Sequence, residues 1–259
     1  MKRGRYLLLT LLLLLTSGYG NASDVLKVWC SGGLMPVLKT VVADWQQRSG
    51  INVEIEAAPS MGQTPQSVPQ RLAHHQQADV LVMVEAGMRP LVAQGWIAAA
   101  DSVALADSWI ALAVPAGQTR PDISTAQALR ATLLHARRVA YSDSASGRYV
   151  SGELFRRLGI AQAMRAKSLQ VPATPVGAIV AEGQADIGFQ QLSELQAVRG
   201  IEVVGLLPAS LQKATRYAAV IVRASRHQEA GRAFIRYLAS AKVAAVIREK
   251  GMDPLGVEH

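Results

Sequence analysis

A chain of 259 residues that is half hydrophobic and 18% charged is too apolar to remain disordered, and its length suits one large or two medium domains. Its formal net charge is +8, with no Lys/Arg run interleaved with aromatic residues. That pattern excludes a nucleic-acid-binding surface and leaves a mild positive bias of the kind that attracts a small anion.

The N-terminus gives an address. Lys2, Arg3 and Arg5 precede an apolar core from Leu7 to Leu15, and Ser17, Gly18, Gly20 and Ala22 form a small-residue tail. This is the three-part pattern of a secretory signal peptide spanning residues 1–22, cleaved near Ala22. The apolar run is short for a membrane span, and no Cys stands at the cleavage point to carry a lipid. Removing the three leader charges from 27 basic residues leaves 24 against 19 acidic ones, a net charge of +5. No later stretch is long and apolar enough to enter a membrane, so a soluble, exported, periplasmic protein is expected.

From Val25 onward, short β-rich runs alternate with helical patterns. Strands are predicted over Val25–Trp29, Val53–Glu56, Asp79–Val84, Ile110–Val114, Val139–Ser142, Ile187–Gln190 and Tyr217–Val222. Helices are predicted over Val37–Arg48, Pro69–His75, Met88–Gln94, Thr125–His135, Gly147–Leu158, Val176–Glu182 and Gln228–Leu238. Such alternation predicts an α/β fold with parallel sheet. Gly50 and Gly159 act as helix stops, and Ser124-Thr125 supplies a helix cap. Asp107-Ser108 and Pro115-Ala-Gly117 bracket one strand and mark a place for the chain to cross between lobes.

Isolated reactive residues point to little chemistry. Cys30, the one cysteine, cannot form an internal disulfide and reads as a small buried residue rather than a nucleophile. His74 and His75 fall mid-helix on a polar stretch and read as solvent-facing. There is no HExxH, GxSxG, Walker-type loop or Cys/His cluster, so neither a metal site nor a cofactor is expected.

Ligands of open parallel sheets bind beyond the carboxyl ends of strands, where helix N-termini offer free N–H groups. Three loops have that character: Ser31-Gly32-Gly33 with Leu34-Met35-Pro36, Ser60-Met61-Gly62 within Pro59–Thr64, and Ser142–Tyr149 with Ser144, Ser146 and Arg148. Each alone reads equally as an ordinary helix cap. Three in one α/β chain, from two halves, point to a shared anion site. Arg148 is either a bidentate partner for a carboxylate or a solvated helix residue. Gln190 and Gln191 either face the cleft or cap the helix that follows them.

Taken with these loops, the run "AYSDSASGRYVSGELFRRLGI", the run "VGAIVAEGQADIGFQQLSEL" and the late "EAGRAFIRYLASAKVAAVIREKGMDP" carry a resemblance. From Val25 to about Pro254 the chain resembles the molybdate-binding-protein-like branch of type II periplasmic solute-binding proteins. The resemblance implies two Rossmann-like lobes with hinge crossovers, residues 23–107 plus 216–259 forming one and 108–215 the other. It implies a ligand clamped between Ser31–Gly33 and Ser60–Gly62 on one side and Ser144–Tyr149, Val176 and Gln190–Gln191 on the other. It also implies a monomer that closes on a small anionic ligand and hands it to an ABC permease.

The chain departs from true molybdate binders at three points. Gly33-Leu34 stands where they resemble one another in Ala-Ser-Leu, Ala145-Ser146-Gly147 where they have Pro-Ala-Gly, and Gln191 where they place a Tyr. The exchange of Tyr for Gln and Ser donors implies a larger, flatter ligand than a tetrahedral oxyanion. "PSMGQTPQSVPQRL" and "GFQQLSEL" are similar to a sub-branch that includes periplasmic aconitate isomerases, which implies a tricarboxylate.

Two functions follow from the resemblance: an aconitate isomerase working by an allylic proton shift, or a non-catalytic binding protein of an importer for a tricarboxylate, molybdate or another oxyanion. An isomerase needs a proton-transfer base. Asp143, Tyr149 and Glu194 are candidates, and cap, core or salt-bridge roles would account for each as well.

Overall fold

The computed structural model describes residues 25–256 apart from Ala173; the expected signal peptide lies outside them. In chain order the strands are β1 (Val25–Cys30), β2 (Asn52–Ala57), β3 (Val80–Val84), β4 (Val103–Ser108), β5 (Ile110–Pro115), β6 (Val139–Ser142), β7 (Ser168–Val171), β8 (Ile187–Gln191), β9 (Ile201–Leu206), β10 (Thr215–Ile221) and β11 (Asp253–Pro254). The α-helices are α1 (Met35–Ser49), α2 (Val68–Ala73), α3 (Met88–Ala93), α4 (Ala126–His135), α5 (Ala145–Tyr149), α6 (Phe155–Arg157), α7 (Ala161–Met164), α8 (Val176–Ala181), α9 (Leu192–Gln196), α10 (Gln228–Leu238) and α11 (Ala241–Glu249).

These strands form two sheets, ordered β11-β4-β10-β3-β1-β2 and β7-β6-β8-β5-β9. The fold class is α/β, but neither sheet is purely parallel. β10 runs antiparallel to β3 and β4, and β5 runs antiparallel to β8 and β9. Both inverted strands adjoin a crossing: the chain passes from the first sheet to the second between Ser108 and Ile110, and returns between Leu206 and Thr215. A strand that enters a sheet from a crossing, not from a covering helix, is free of the constraint that makes βαβ units parallel.

The local signals explain the predicted elements. β1 and β3 are buried along most of their length, as strands covered on both faces must be. α1 carries Pro36 in its first turn and stops at Gly50, whose φ of 70° is left-handed. Thr125 caps α4 by accepting from the Ala128 amide at 3.0 Å.

Several elements differ from expectation. The predicted helix Gly147–Leu158 is α5 and α6 joined by a π-helical turn at Val150–Leu154. α2 ends at Ala73, so exposed His74 and His75 lie just past a helix end and not mid-helix, and His75 takes a left-handed φ of 56°. β4, β7, β9, β11, α7 and α11 were not predicted, and α9 was expected only as a helix of unstated length after Gln190-Gln191. β9 is a half-buried edge strand, β7 is four residues long, and α9 follows β8 without a linker, so each lacks a separate periodic signal.

Each sheet has its own core. In the first, Trp45 of α1 packs edge-on against Phe234 of α10, beside buried Val28, Val82 and Ala219. In the second, Tyr141 and Phe155 pack edge-on beside Leu112, Leu154 and Phe189. Cys30 is fully buried in the first core as a free thiol, as its sequence context predicts. Among the described residues no helix is long and apolar enough to cross a membrane.

Candidate functional site

The carboxyl ends of β1, β6 and β8 converge on a cavity of about 840 Å³ between the two sheets. After β1, the Ser31 amide is held by the Val82 carbonyl at 2.8 Å, and Gly32–Leu34 make one 3₁₀ turn into the fifteen-residue helix α1. The two glycines leave room for side chains from both sheets. A Cβ on Gly32 would lie 2.6 Å from Glu194 Oε2, and one on Gly33 would lie 2.3 Å from the Tyr217 hydroxyl. Removing both side chains lets a carboxylate from the second sheet and a phenol from the first approach the same loop.

Across the cavity, β6 delivers Ser142–Ser146 at the entry to α5, and β8 delivers Gln191, Ser193 and Glu194. The sides touch where the Ser193 hydroxyl donates to the Gly33 carbonyl at 2.8 Å, a buried bond between elements 160 residues apart. Gly62, with a left-handed φ of 107°, packs over Asp143; a Cβ there would lie 2.8 Å from Asp143 Oδ2.

Of the predicted residues, Ser31, Gly32, Ser144, Ser146, Gln191, Asp143 and Glu194 line this one cavity. Gly33, Gln190 and Val176 stand behind its wall: the Val176 amide donates to Gln190 Oε1 at 2.9 Å, and Gln190 Nε2 donates to Glu194 Oε2. Ser60 is buried and accepts the Val84 amide at 2.8 Å, so its hydroxyl anchors the loop.

Met61, Arg148 and Tyr149 border a different cavity, of about 1050 Å³. In a helix, two residues on from Ser146 is a rotation of about 200°, so Arg148 faces away from the serines. There it approaches the Met61 sulfur at 3.5 Å. The Tyr149 hydroxyl donates to the Leu211 carbonyl at 2.6 Å and accepts from Arg157 at 3.1 Å, which leaves it engaged away from the first cavity. The second cavity is bordered by Arg89, Arg148, Arg156, Lys213 and Arg216 against Glu85 and Glu153, a positive balance that raises the local concentration of anions beside the cleft.

The electrostatics of the first cavity centre on Glu194. It is half-buried, with its carboxylate against Gly32 and the Gln190 amide. Burial pushes its carboxyl up to about 7, while the hydrogen bond from Gln190 pulls the other way. Burial likewise holds the Cys30 thiol well above its ordinary value, with the Glu194 charge adding to the effect, so Cys30 is not an activated nucleophile. Gln191 is buried, its Nε2 donates to Thr215 Oγ1 at 2.9 Å, and its Oε1 has no partner. A half-turn of that amide would present the NH₂ to an anion while the Thr215 hydroxyl donates in return. Among the described residues no group of three His, Cys, Asp or Glu is placed to hold a metal.

Two residues of this cavity, Tyr217 and Ser193, were not among the sequence candidates. Tyr217 sits in a strand that reads as core, and its place beside the loop after β1 follows only from β10 running antiparallel, with Tyr217 opposite Val84. Ser193 lies two residues beyond Gln191, at a helix start that the sequence alone merges with β8.

A family described as bacterial extracellular solute-binding protein matches residues 26–253. The chain belongs to this family. As a member of it, this solute-binding protein is 47% identical over 230 residues to an aconitate isomerase from Pseudomonas sp, covering 89% of this chain and 88% of the relative. Among solved structures it superposes on the periplasmic molybdate-binding protein of Azotobacter vinelandii with a TM-score of 0.68 at 20% identity, covering 88% of this chain and 98% of that one. The sulfate-binding protein SubI of Mycobacterium tuberculosis H37Rv gives a TM-score of 0.69 at 15% identity, over 90% of this chain and 87% of that one. The fold is therefore that of type II periplasmic binding proteins, as the resemblance implied.

Proposed function

We propose that this solute-binding protein is a periplasmic aconitate isomerase that converts trans-aconitate to cis-aconitate. The observation that carries the proposal is the 47% identity to an aconitate isomerase across nearly the whole of both chains. The cavity's chemistry supports it. The helix entries and hydroxyls of Ser31, Ser144 and Ser146 suit carboxylates. Glu194, poised near neutrality in the same wall, suits a group that must both take and return a proton.

In the proposed reaction, Glu194 removes a proton from the substrate's methylene carbon. The C–H electron pair forms a new double bond to the central carbon, and the old double bond shifts its electrons onto the former vinyl carbon. The charge spreads into the flanking carboxylates. Glu194 then returns the proton to that former vinyl carbon. One C–H bond breaks, one forms, and no oxidant or cofactor takes part. The two sheets with their helices, which change over between Ser108 and Ile110 and between Leu206 and Thr215, not at the expected 107/108 and 215/216, would act as lobes that close over the ligand in a monomer; cleavage near Ala22 would release the chain into the periplasm.

A second reading is a non-catalytic binding component that hands a tricarboxylate or an oxyanion to an ABC permease, favoured by the family and by the molybdate- and sulfate-binding neighbours. Incubation of the purified protein with trans-aconitate, followed by NMR, separates the two. Catalytic appearance of cis-aconitate supports the isomerase. Thermal stabilisation by aconitate without turnover would leave the binding component, and stabilisation by molybdate alone would exclude a tricarboxylate.

Gln190 tests the assignment of Glu194 independently. Its amide stabilises the carboxylate, so Gln190→Leu should raise the Glu194 pKa further above its ordinary value. The acid limb of the kcat/KM profile should then move to higher pH. A limb that stays in place would show that another group titrates.

A further inference from the structure

We infer that the Tyr217 hydroxyl is a catalytic hydrogen-bond donor that binds the substrate carboxylate on which negative charge accumulates as Glu194 removes the methylene proton. This rests on the isomerase reading and assigns to that same site a residue from the opposite sheet.

The geometry is specific. Tyr217 is 2% exposed, and it borders the same cavity as Glu194. Its hydroxyl lies so close to Gly33 that even a methyl group there would strike it at 2.3 Å. The adjacent glycine clears the Glu194 carboxylate in the same way, at 2.6 Å. The Gly32-Gly33 turn therefore has the carboxylate against one residue and the phenol against the next. A substrate seated over this loop would have the base on one side and the donor on the other.

The protonation states agree with that division. Burial holds the Tyr217 phenol well above its ordinary pKa, with the negative charge of Glu194 adding to it. The nearby Ser31 hydroxyl works in the opposite direction. Tyr217 thus keeps its proton throughout the range in which Glu194 titrates, so its O–H is present to donate. A donor of this kind strengthens its bond as charge develops and gives up no proton, so the atom balance of the allylic shift is unchanged. Gly33 gives the phenol oxygen room at the loop, on the cavity that it shares with Glu194.

The test is Tyr217→Phe, which keeps the ring and removes one oxygen. In wild-type and variant, three quantities are read: kcat and KM for trans-aconitate, wash-in of deuterium from D₂O into substrate, and the affinity for propane-1,2,3-tricarboxylate, a saturated analogue with no allylic proton. The expected result is a fall in kcat of about 10²–10³-fold. Deuterium wash-in should fall in step, while KM and analogue affinity change by less than about threefold. The melting temperature reports whether the variant is folded, and retained analogue binding confirms the site.

If wild-type turnover is absent, the isomerase reading fails and this inference with it. If wild-type turns over and Tyr217→Phe matches it, the inference alone fails. If wash-in persists while isomerisation stops, Tyr217 delivers the final proton to carbon and the donor role is overturned. If affinity for the analogue falls as far as kcat, Tyr217 is a ground-state binding residue and the donor role is again overturned.

Discussion

Replacement of Glu194 by Gln is expected to lower isomerisation by about 10²–10⁴-fold while leaving ligand binding in place. The amide preserves size and can still accept a hydrogen bond from Gln190, but it cannot take a proton from carbon. The same substitution should raise stability in alkaline solution, and the sign follows from the shifted pKa. The Glu194 carboxyl has an ordinary value of 4.5 and is pushed to about 7 by burial in the folded chain. Between these two values the folded chain holds a proton that the unfolded chain has released, so this group's contribution becomes less favourable as pH rises through the window. Above pH 7 the folded chain must bury a charge, and Glu194→Gln removes that cost. Thermal melts should show the variant above wild-type by about 2 °C or more near pH 8, with the gap closing near pH 4. A residue that lowers stability above neutrality needs another reason to be in its place, and the proposed proton transfer would supply one. Full turnover by Glu194→Gln would remove it as the base and leave Asp143, which borders the same cavity, as the next residue to test.

The readable and unreadable parts of this site divide along a physical line. Ser31, Ser144, Ser146, Gln191 and Glu194 share the cavity because each follows a strand directly and enters a helix, and that arrangement is written locally as an apolar run followed by Ser, Gly or Gln. Arg148 and Tyr149 occupy the same run of sequence yet face another cavity, because helical rotation turns them away and the Leu211 carbonyl binds the tyrosine. Ser60 has the composition of a ligand loop, but its hydroxyl is taken up by the Val84 amide. Tyr217 was hidden for the opposite reason. In "TRYAAVI" it reads as one more buried residue of a strand, and only the antiparallel pairing with β3 brings it to the end of the sheet where the loops converge. Sequence patterns report the next few residues well and the direction of a returning strand poorly. The unpredicted β4 and β9 show the same limit, since each is tied to the crossings more than to a neighbouring helix.

The contacts across the cleft would let a binding scaffold host the proposed chemistry. Glu194 belongs to the second sheet, Tyr217 and Ser31 to the first, and the Ser193–Gly33 bond holds the two sides in register. A proton-transfer site assembled from both sides is complete only while they are together. The motion that retains a ligand in a binding protein would here also align base and substrate, an economy that needs no new domain.

The largest structural effect is expected from Gly147→Ala. Gly147 lies in α5 with an ordinary helical backbone, so the demand for glycine comes from space and not from φ. A Cβ there would stand 1.7 Å from the Ser142 carbonyl oxygen, 2.5 Å from its carbon and 2.8 Å from the Ser142 nitrogen. All three atoms are backbone at the end of β6, where Ser142 pairs with Val171 of β7, so none can swing aside as a side chain would. The helix entry must move off the strand end, carrying Ser144 and Ser146 with it. Overpacking of this kind costs about 3 kcal/mol, and with no flexible neighbour to absorb it the cost sits at the upper end. A drop in melting temperature of about 6–12 °C is expected by differential scanning calorimetry. Ligand affinity should fall more than tenfold even at temperatures where the variant is folded, because the serine hydroxyls and amides of the cavity shift by the width of a methyl group. If Gly147→Ala melts with wild-type and binds as tightly, α5 does not sit on the end of β6, and the shape of the cavity described above is wrong at that wall.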